Sequence, residues 1–253
     1  MQRVMPDFPH LIRAPINEAM LTFQANAAAH WGGEDLLVRL KPLWPEHSDC
    51  QELQLVNMQF SAKQGEQPKH DTTNAQSMGW VFRSGTEHTA HQVRRDGYTF
   101  SRLKPYQDWE SFEVAAKEEW KKVSELLQPE PLHSVSVRFI NILEFPAAEF
   151  KLKRYFTAPP PRPAGLDWRF HGFVQQAFFE VPDSQCAVQV TFSPSFSAVP
   201  TETLAFLLDI AVTLKQSLPA SGKSVDEVLD EMHLLKNEAF FGMLTEEAIG
   251  LYK

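Results

Sequence analysis

Val135-Ser-Val-Arg-Phe-Ile-Asn-Ile-Leu-Glu-Phe145 alternates with a period of two: Val135, Val137, Phe139, Leu143 and Phe145 share one face, and Ser136, Arg138 and Glu144 take the other. A strand that is apolar on one side only belongs in a sheet with one covered face, which favours antiparallel over parallel pairing. The same period recurs at Ala19, Leu21, Phe23 and Ala25, at Val56, Met58, Phe60 and Ala62, and briefly at Trp80 and Phe82. Further strands run through Phe173 to Val181, through Cys186, Val188, Val190 and Phe192, and from Leu204 to Leu214. A long extended stretch from about His88 to Leu103 contains Asp96-Gly97, which reads as a bulge or tight bend. Counting from Val93, Arg95 is expected on the apolar side with Asp108 or Glu110 as partner, and Arg94 on the solvent side.

Helical spacing occupies fewer places. Trp109, Phe112, Ala116, Trp120, Val123 and Leu127 recur at steps of three and four, with Asp108 as N-cap and Pro129 as the stop. Ser224 and Glu227 fit a capping box ahead of a stripe of Val228, Met232, Leu235 and Ala239, and Thr245 opens a short last helix. Glu34 to Lys41 and Ala147 to Tyr155 are shorter candidates, and Ala158 to Pro163 is a stiff proline-rich connector. The elements read as β-α-β-β-β-α over about 14–128 and again over about 133–243. We therefore expect an α+β fold: one domain spanning 1–253, built from two duplicated halves. Its sheet is expected to be curved and mainly antiparallel, with the long helices on one face.

Composition narrows the function classes. The 253 residues carry 24 Lys+Arg against 32 Asp+Glu, a net charge of −8, with 19 Phe among them, which excludes global disorder. The longest apolar stretch, Leu204 to Leu214, is broken by Asp209 and is too short for a membrane span. No signal peptide is visible, and two cysteines far apart, Cys50 and Cys186, suit a reducing cytosol, so a cytoplasmic protein is expected.

Catalytic patterns are sparse. Ser221-Gly-Lys-Ser224 lacks the upstream glycine of a phosphate loop, whose place is taken by Ser217, so Ser224 reads as a helix cap. His88 and His91, three apart in a strand, point to opposite faces; His47 and Cys50 sit in a loop but lack a second pair; His70-Asp71 lies in a polar loop and reads as solvated. No metal and no cofactor is expected. Asn141 interrupts the apolar face of its strand, so its buried amide must find partners or a ligand. Arg138 lies on the other face, its stem along Ile140 and Ile142. Basic residues concentrate between Arg83 and Lys104 (five against two acidic) and between Lys151 and Arg169 (five against one), and acidic ones between Val225 and Glu247 (seven against one).

Four segments carry a family resemblance: Arg95-Asp-Gly-Tyr-Thr-Phe-Ser-Arg-Leu-Lys-Pro-Tyr-Gln-Asp-Trp109, Ala14-Pro-Ile-Asn-Glu-Ala19, Arg138-Phe-Ile-Asn141 and Leu234-Leu-Lys-Asn-Glu-Ala-Phe-Phe241. Together they resemble a sporadically distributed, uncharacterised bacterial family without an assigned activity. The resemblance implies a cytoplasmic bacterial protein and transfers no catalytic residue. Asp96, Gly97, Tyr106 and Trp109 read as architecture: a bend, then a helix start whose rings pack the strand end onto the sheet.

The leading expectation is a non-catalytic binding or interaction protein, with a protein partner or an anionic ligand held on the uncovered sheet face or the basic strands. Its candidate binding residues are Arg94, Arg95, His88, His91, Arg138 and Asn141. The alternatives are nucleic-acid or nucleotide binding through the basic strands, and an enzyme of unrecognised type centred on His88, His91, Arg94 and Arg95.

Overall fold

The computed structural model describes residues 8–26, 34–47, 49–61, 69–148, 150–161, 165, 171–195, 202–215 and 224–253, with backbone alone for 34–35, 55–61 and 69–76. The faces read for Val56, Met58, Phe60 and Ala62, the side chain of His70, Arg162-Pro163 and the Ser221 to Lys223 turn lie outside what is described. The strands are β1 Ile16–Gln24, β2 Asp49–Ser61, β3 Lys69–Ser84, β4 Thr89–Arg94, β5 Gly97–Leu103, β6 Ser134–Pro146, β7 Gln175–Glu180, β8 Cys186–Ser195 and β9 Thr203–Leu214. The helices are α1 Glu34–Leu40, which runs into a 3-10 turn at Lys41–Leu43, α2 Trp109–Leu127, α3 Leu152–Tyr155, α4 Val225–Met243 and α5 Glu246–Gly250. The nine strands form one open antiparallel sheet in the order β2-β3-β4-β5-β1-β6-β9-β8-β7.

The chain divides into two compact units, one of residues 1–21, 102–113 and 133–253, the other of 22–101 and 114–132. In the first, β6 and β9 pair with Phe139 opposite Ile210 and Asn141 opposite Leu208. This register puts Val137, Phe139 and Leu143 on the same buried face as Leu208, Ile210 and Val212. Helix α4 packs on β6, β8 and β9 through Val228, Leu229, Met232 and Leu235. Its start is the capping box read from the sequence: Glu227 N donates to Ser224 Oγ at 3.2 Å and Ser224 N to Glu227 Oε2 at 2.7 Å. Phe240, rather than Ala239, completes the buried stripe of α4.

In the second unit, Phe23 of β1 stacks on Trp120 of α2 at 5.2 Å, and Trp120 is half-buried. Asp108 Oδ1 accepts from Ser111 N at 2.7 Å ahead of α2, and Gln128, at φ 45°, ends the helix before Pro129.

The stretch from His88 to Leu103 differs from its reading. It is a hairpin rather than one bent strand, with Arg95-Asp96 as the reversal, so four strands instead of three lie between α1 and α2. The turn is held from both sides: Arg95 N donates to Met78 O at 3.3 Å, and Asp96 O accepts from Ala25 N at 3.2 Å. The reversal also corrects the arginine roles. Arg95 sits in the turn and is exposed, whereas Arg94 is partly buried and donates through Nε to Asp96 Oδ1 at 2.9 Å. Neither Asp108 nor Glu110 is a buried partner, since both are exposed. His88 is in the turn before β4, at φ 53°, and not in a strand. The helix expected over Ala147 to Tyr155 shortens to Leu152–Tyr155. No helix among the described residues is long and apolar enough to cross a membrane.

Candidate functional site

A cavity of about 330 Å³ opens within the first unit, between the inner face of β6, helix α4, the start of α2 and the segment 8–16. Alternation on β6 sends Phe139 and Asn141 to its wall, and the α4 stripe adds His233, Lys236, Asn237 and Phe240. Trp109, on the first turn of α2, stacks flat on His233 with centroids 4.5 Å apart and planes 7° apart. Tyr106 meets Phe139 edge-on at 5.7 Å, and Phe8 lies stacked on Phe241 at 4.9 Å. Arg13 fixes the segment that carries Phe8, because its Nη2 donates to Leu251 O at 2.7 Å and its N to Tyr252 O at 3.0 Å.

The polar groups on these walls are only partly satisfied. Asn141 donates through Nδ2 to Phe139 O at 3.2 Å and to Leu208 O at 2.9 Å, and its Oδ1 accepts no bond from any described residue. Trp109 Nε1 and Tyr106 Oη are buried without a hydrogen-bond partner among the described residues. Lys236 is 8% exposed, its Nζ lies 4.3 Å above the centre of the Phe139 ring, and no described carboxylate pairs with it. Buried donors without acceptors are costly, and they are rare in folded proteins unless something else satisfies them.

Burial sets the protonation states. It pushes the Lys236 ammonium down to about 7. It also pushes His233 down to about 4, with the Lys236 charge adding to the effect. His233 is therefore a neutral imidazole at pH 7, and its Nε2 accepts from Asn237 Nδ2 at 3.2 Å, which leaves the ring proton on Nδ1. Burial raises the Tyr106 hydroxyl, and the bonds from Ser111 hold the Asp108 carboxyl below its usual range. The arrangement is an aromatic box with one buried amine and several unused hydrogen-bonding groups.

Of the residues singled out from sequence, Asn141, Tyr106 and Trp109 meet here. Arg138, on the opposite face of β6, grips Asp209 through Nε at 2.9 Å and Nη2 at 2.5 Å. His88 and His91 are not brought together. His91 is buried in the second unit, sharing a 2.8 Å hydrogen bond with Tyr98 Oη and stacking on Trp44 at 4.2 Å. Beside it, Trp44 Nε1 donates to Glu119 Oε2 at 2.7 Å, and His47 Nε2 lies 3.1 Å from Thr89 Oγ1. This network ties the loop after α1 to β4, β5 and α2. Burial lowers the His47 pKa in spite of Glu87 and Glu119 nearby. Gly97 and Asp96 belong to the β4–β5 reversal, as does Arg94.

Lys236 and His233 escaped the sequence reading as site residues. The available signal was positional: Lys236 stands four residues after Met232 and breaks the apolar stripe of its helix. No family model, no curated protein and no solved structure matches the chain. Segments from all four stretches that carry the family resemblance contribute to the cavity: Ala14 to Ile16, Tyr106 to Trp109, Phe139 with Asn141, and Lys236 to Phe241.

Proposed function

We propose that the protein is a non-catalytic binding protein whose ligand is a small molecule with a flat, apolar body, held in the cavity between β6, α4 and the start of α2. The observation that carries this is the pair of buried, unpartnered donors Trp109 Nε1 and Tyr106 Oη, gathered with the Lys236 ammonium over Phe139 on the aromatic walls of one cavity. Among the described residues no nucleophile–base pair accompanies them, since His233 is engaged by Trp109 and Asn237. The basic-strand alternative has less support, because Arg94 and Arg138 already bond Asp96 and Asp209. An enzyme centred on His88 and His91 loses its motive, as one is exposed in a turn and the other is buried in a packed network.

Two neutral flat probes, indole and 2-naphthamide, test the cavity by titration calorimetry. Both are expected to bind wild type. Ala14→Trp, which fills the cavity from the segment 8–16, is expected to abolish binding while the melting temperature holds. Absence of binding by either probe, or binding indifferent to Ala14→Trp, would reject the site.

The duplication belongs to the same proposal. β1 lies beside β5, and β6 beside β9, so in each half the opening strand neighbours the last strand before the long helix, α2 or α4. That repeated connection supports two related halves, each closed by a long helix. Membership of the resembled bacterial family rests on its four sequence segments alone, and a cytoplasmic setting is supported by two free thiols.

A further inference from the structure

We infer that the ligand carries a single carboxylate and that Lys236 is the cation that receives it. The inference rests on the cavity reading above and names the chemistry of what the cavity binds. Lys236 is 8% exposed, and its Nζ is held over the Phe139 ring in a cavity walled by aromatic side chains, with no described carboxylate in ion-pair reach. A buried ammonium without a counter-ion is strongly disfavoured, and a ligand that supplies one negative charge removes the penalty. One cation matches one anion. A dianionic phosphate would surrender its hydration for a single compensating charge and two neutral donors, Trp109 Nε1 and Tyr106 Oη, which leaves half of its charge uncompensated.

The other charged and titratable groups around the cavity do not compete for this role. His233, on the same helix, is neutral at pH 7 and engaged by Asn237. Asp108 and Glu110 from the start of α2 are exposed, and Asp108 is committed to the Ser111 amide. His10 from the segment 8–16 is exposed, and Tyr106 keeps its proton. The β6 and β9 charges nearest in sequence, Arg138 and Asp209, pair with each other on the opposite face. Trp109 Nε1 and Tyr106 Oη remain as donors for the carboxylate oxygens or for a polar group on the ligand body.

A proton signature follows. The free amine titrates near neutrality, so above that pH the empty site is mostly uncharged. The carboxylate binds the ammonium form, raises its pKa and draws a proton from solution as it binds.

The test compares 2-naphthoate with its neutral isostere 2-naphthamide on the full chain, by calorimetry in buffers of different ionisation enthalpy. Wild type at pH 6.5 is expected to prefer the carboxylate by at least ~10-fold, and at pH 8.5 to take up about one proton per naphthoate bound. Lys236→Met is expected to remove both the preference for the carboxylate and the proton uptake. Equal binding of the two probes by wild type, or naphthoate binding without proton uptake at pH 8.5, would overturn the carboxylate inference and leave the cavity reading standing. Failure of both probes to bind wild type would end both. The decisive comparisons are read on wild type, so they survive a variant that does not fold.

Discussion

Gly97, at φ 152°, begins β5 with its Cα against the neighbouring strand, and a Cβ there would overlap the carbonyl oxygen of Phe23. Two costs therefore combine, an unfavourable backbone angle and a steric conflict with a strand that cannot move alone. Gly97→Val is expected to destabilise the fold by roughly 2–4 kcal/mol in a denaturant titration, whereas Gly85, where an added Cβ would meet open space, should tolerate Ala within about 0.5 kcal/mol. Residue-scale differences also separate the two arginines bonded to carboxylates. Asp209 is nearly buried, so removing Arg138 strands a charge, while Asp96 is exposed and loses little with Arg94. Arg138→Ala should cost roughly 1–3 kcal/mol and Arg94→Ala no more than about 0.5 kcal/mol. Equal melting temperatures for the two variants would contradict this account.

Both long helices start where the local residues say they should, because a cap is a contact between residues three apart. Ser224→Ala removes the acceptor for Glu227 N and half of the capping box, and is expected to cost about 0.5–2 kcal/mol without changing the fold. Trp120 holds α2 to β1 by stacking on Phe23 from a half-buried position. Trp120→Ala should therefore cost roughly 2–3 kcal/mol, less than for a fully enclosed tryptophan, measured by chemical denaturation. The hairpin at Arg95-Asp96 shows where element-scale reading stops. Strand alternation continues through Val93 and across Gly97, so nothing local separates a bulge from a reversal. The choice is made by Met78 of β3 and by Ala25, just past the end of β1, which hydrogen-bond the turn.

At the scale of the whole molecule, buried bases tie stability to pH. Lys236 titrates at about 7 in the fold and near 10.4 in the unfolded chain, so between these values the unfolded chain binds more protons and stability rises with pH. His233 works in the same direction lower down: as pH falls from about 6.5 toward 4 the unfolded chain takes up a proton that the fold refuses, and stability drops. Wild type is expected to gain roughly 2–3 kcal/mol between pH 7 and pH 9 through Lys236, and Lys236→Met to lose that slope. Equal slopes for the two proteins in urea titrations across that range would refute the assignment.

The strands, the long helices and their caps were legible because each depends on periods of two or 3.6 residues and on caps three residues apart. An antiparallel sheet followed from one-sided alternation, and Asn141 announced itself by breaking the apolar face of its strand. Lys236 also broke a stripe, yet a long amine on a helix usually reaches water past its neighbours, so the break alone does not mark burial. Whether it reaches water depends on Phe139 from β6 and on the rings of Tyr106, Trp109 and Phe240, residues brought together from across more than a hundred positions. The same holds for the strand order and for the separation of His88 from His91. Local pattern sets which side of an element is apolar, but the partners that close a cavity, bend a turn or leave a donor unpaired come from distant chain, and only folding brings them into reach.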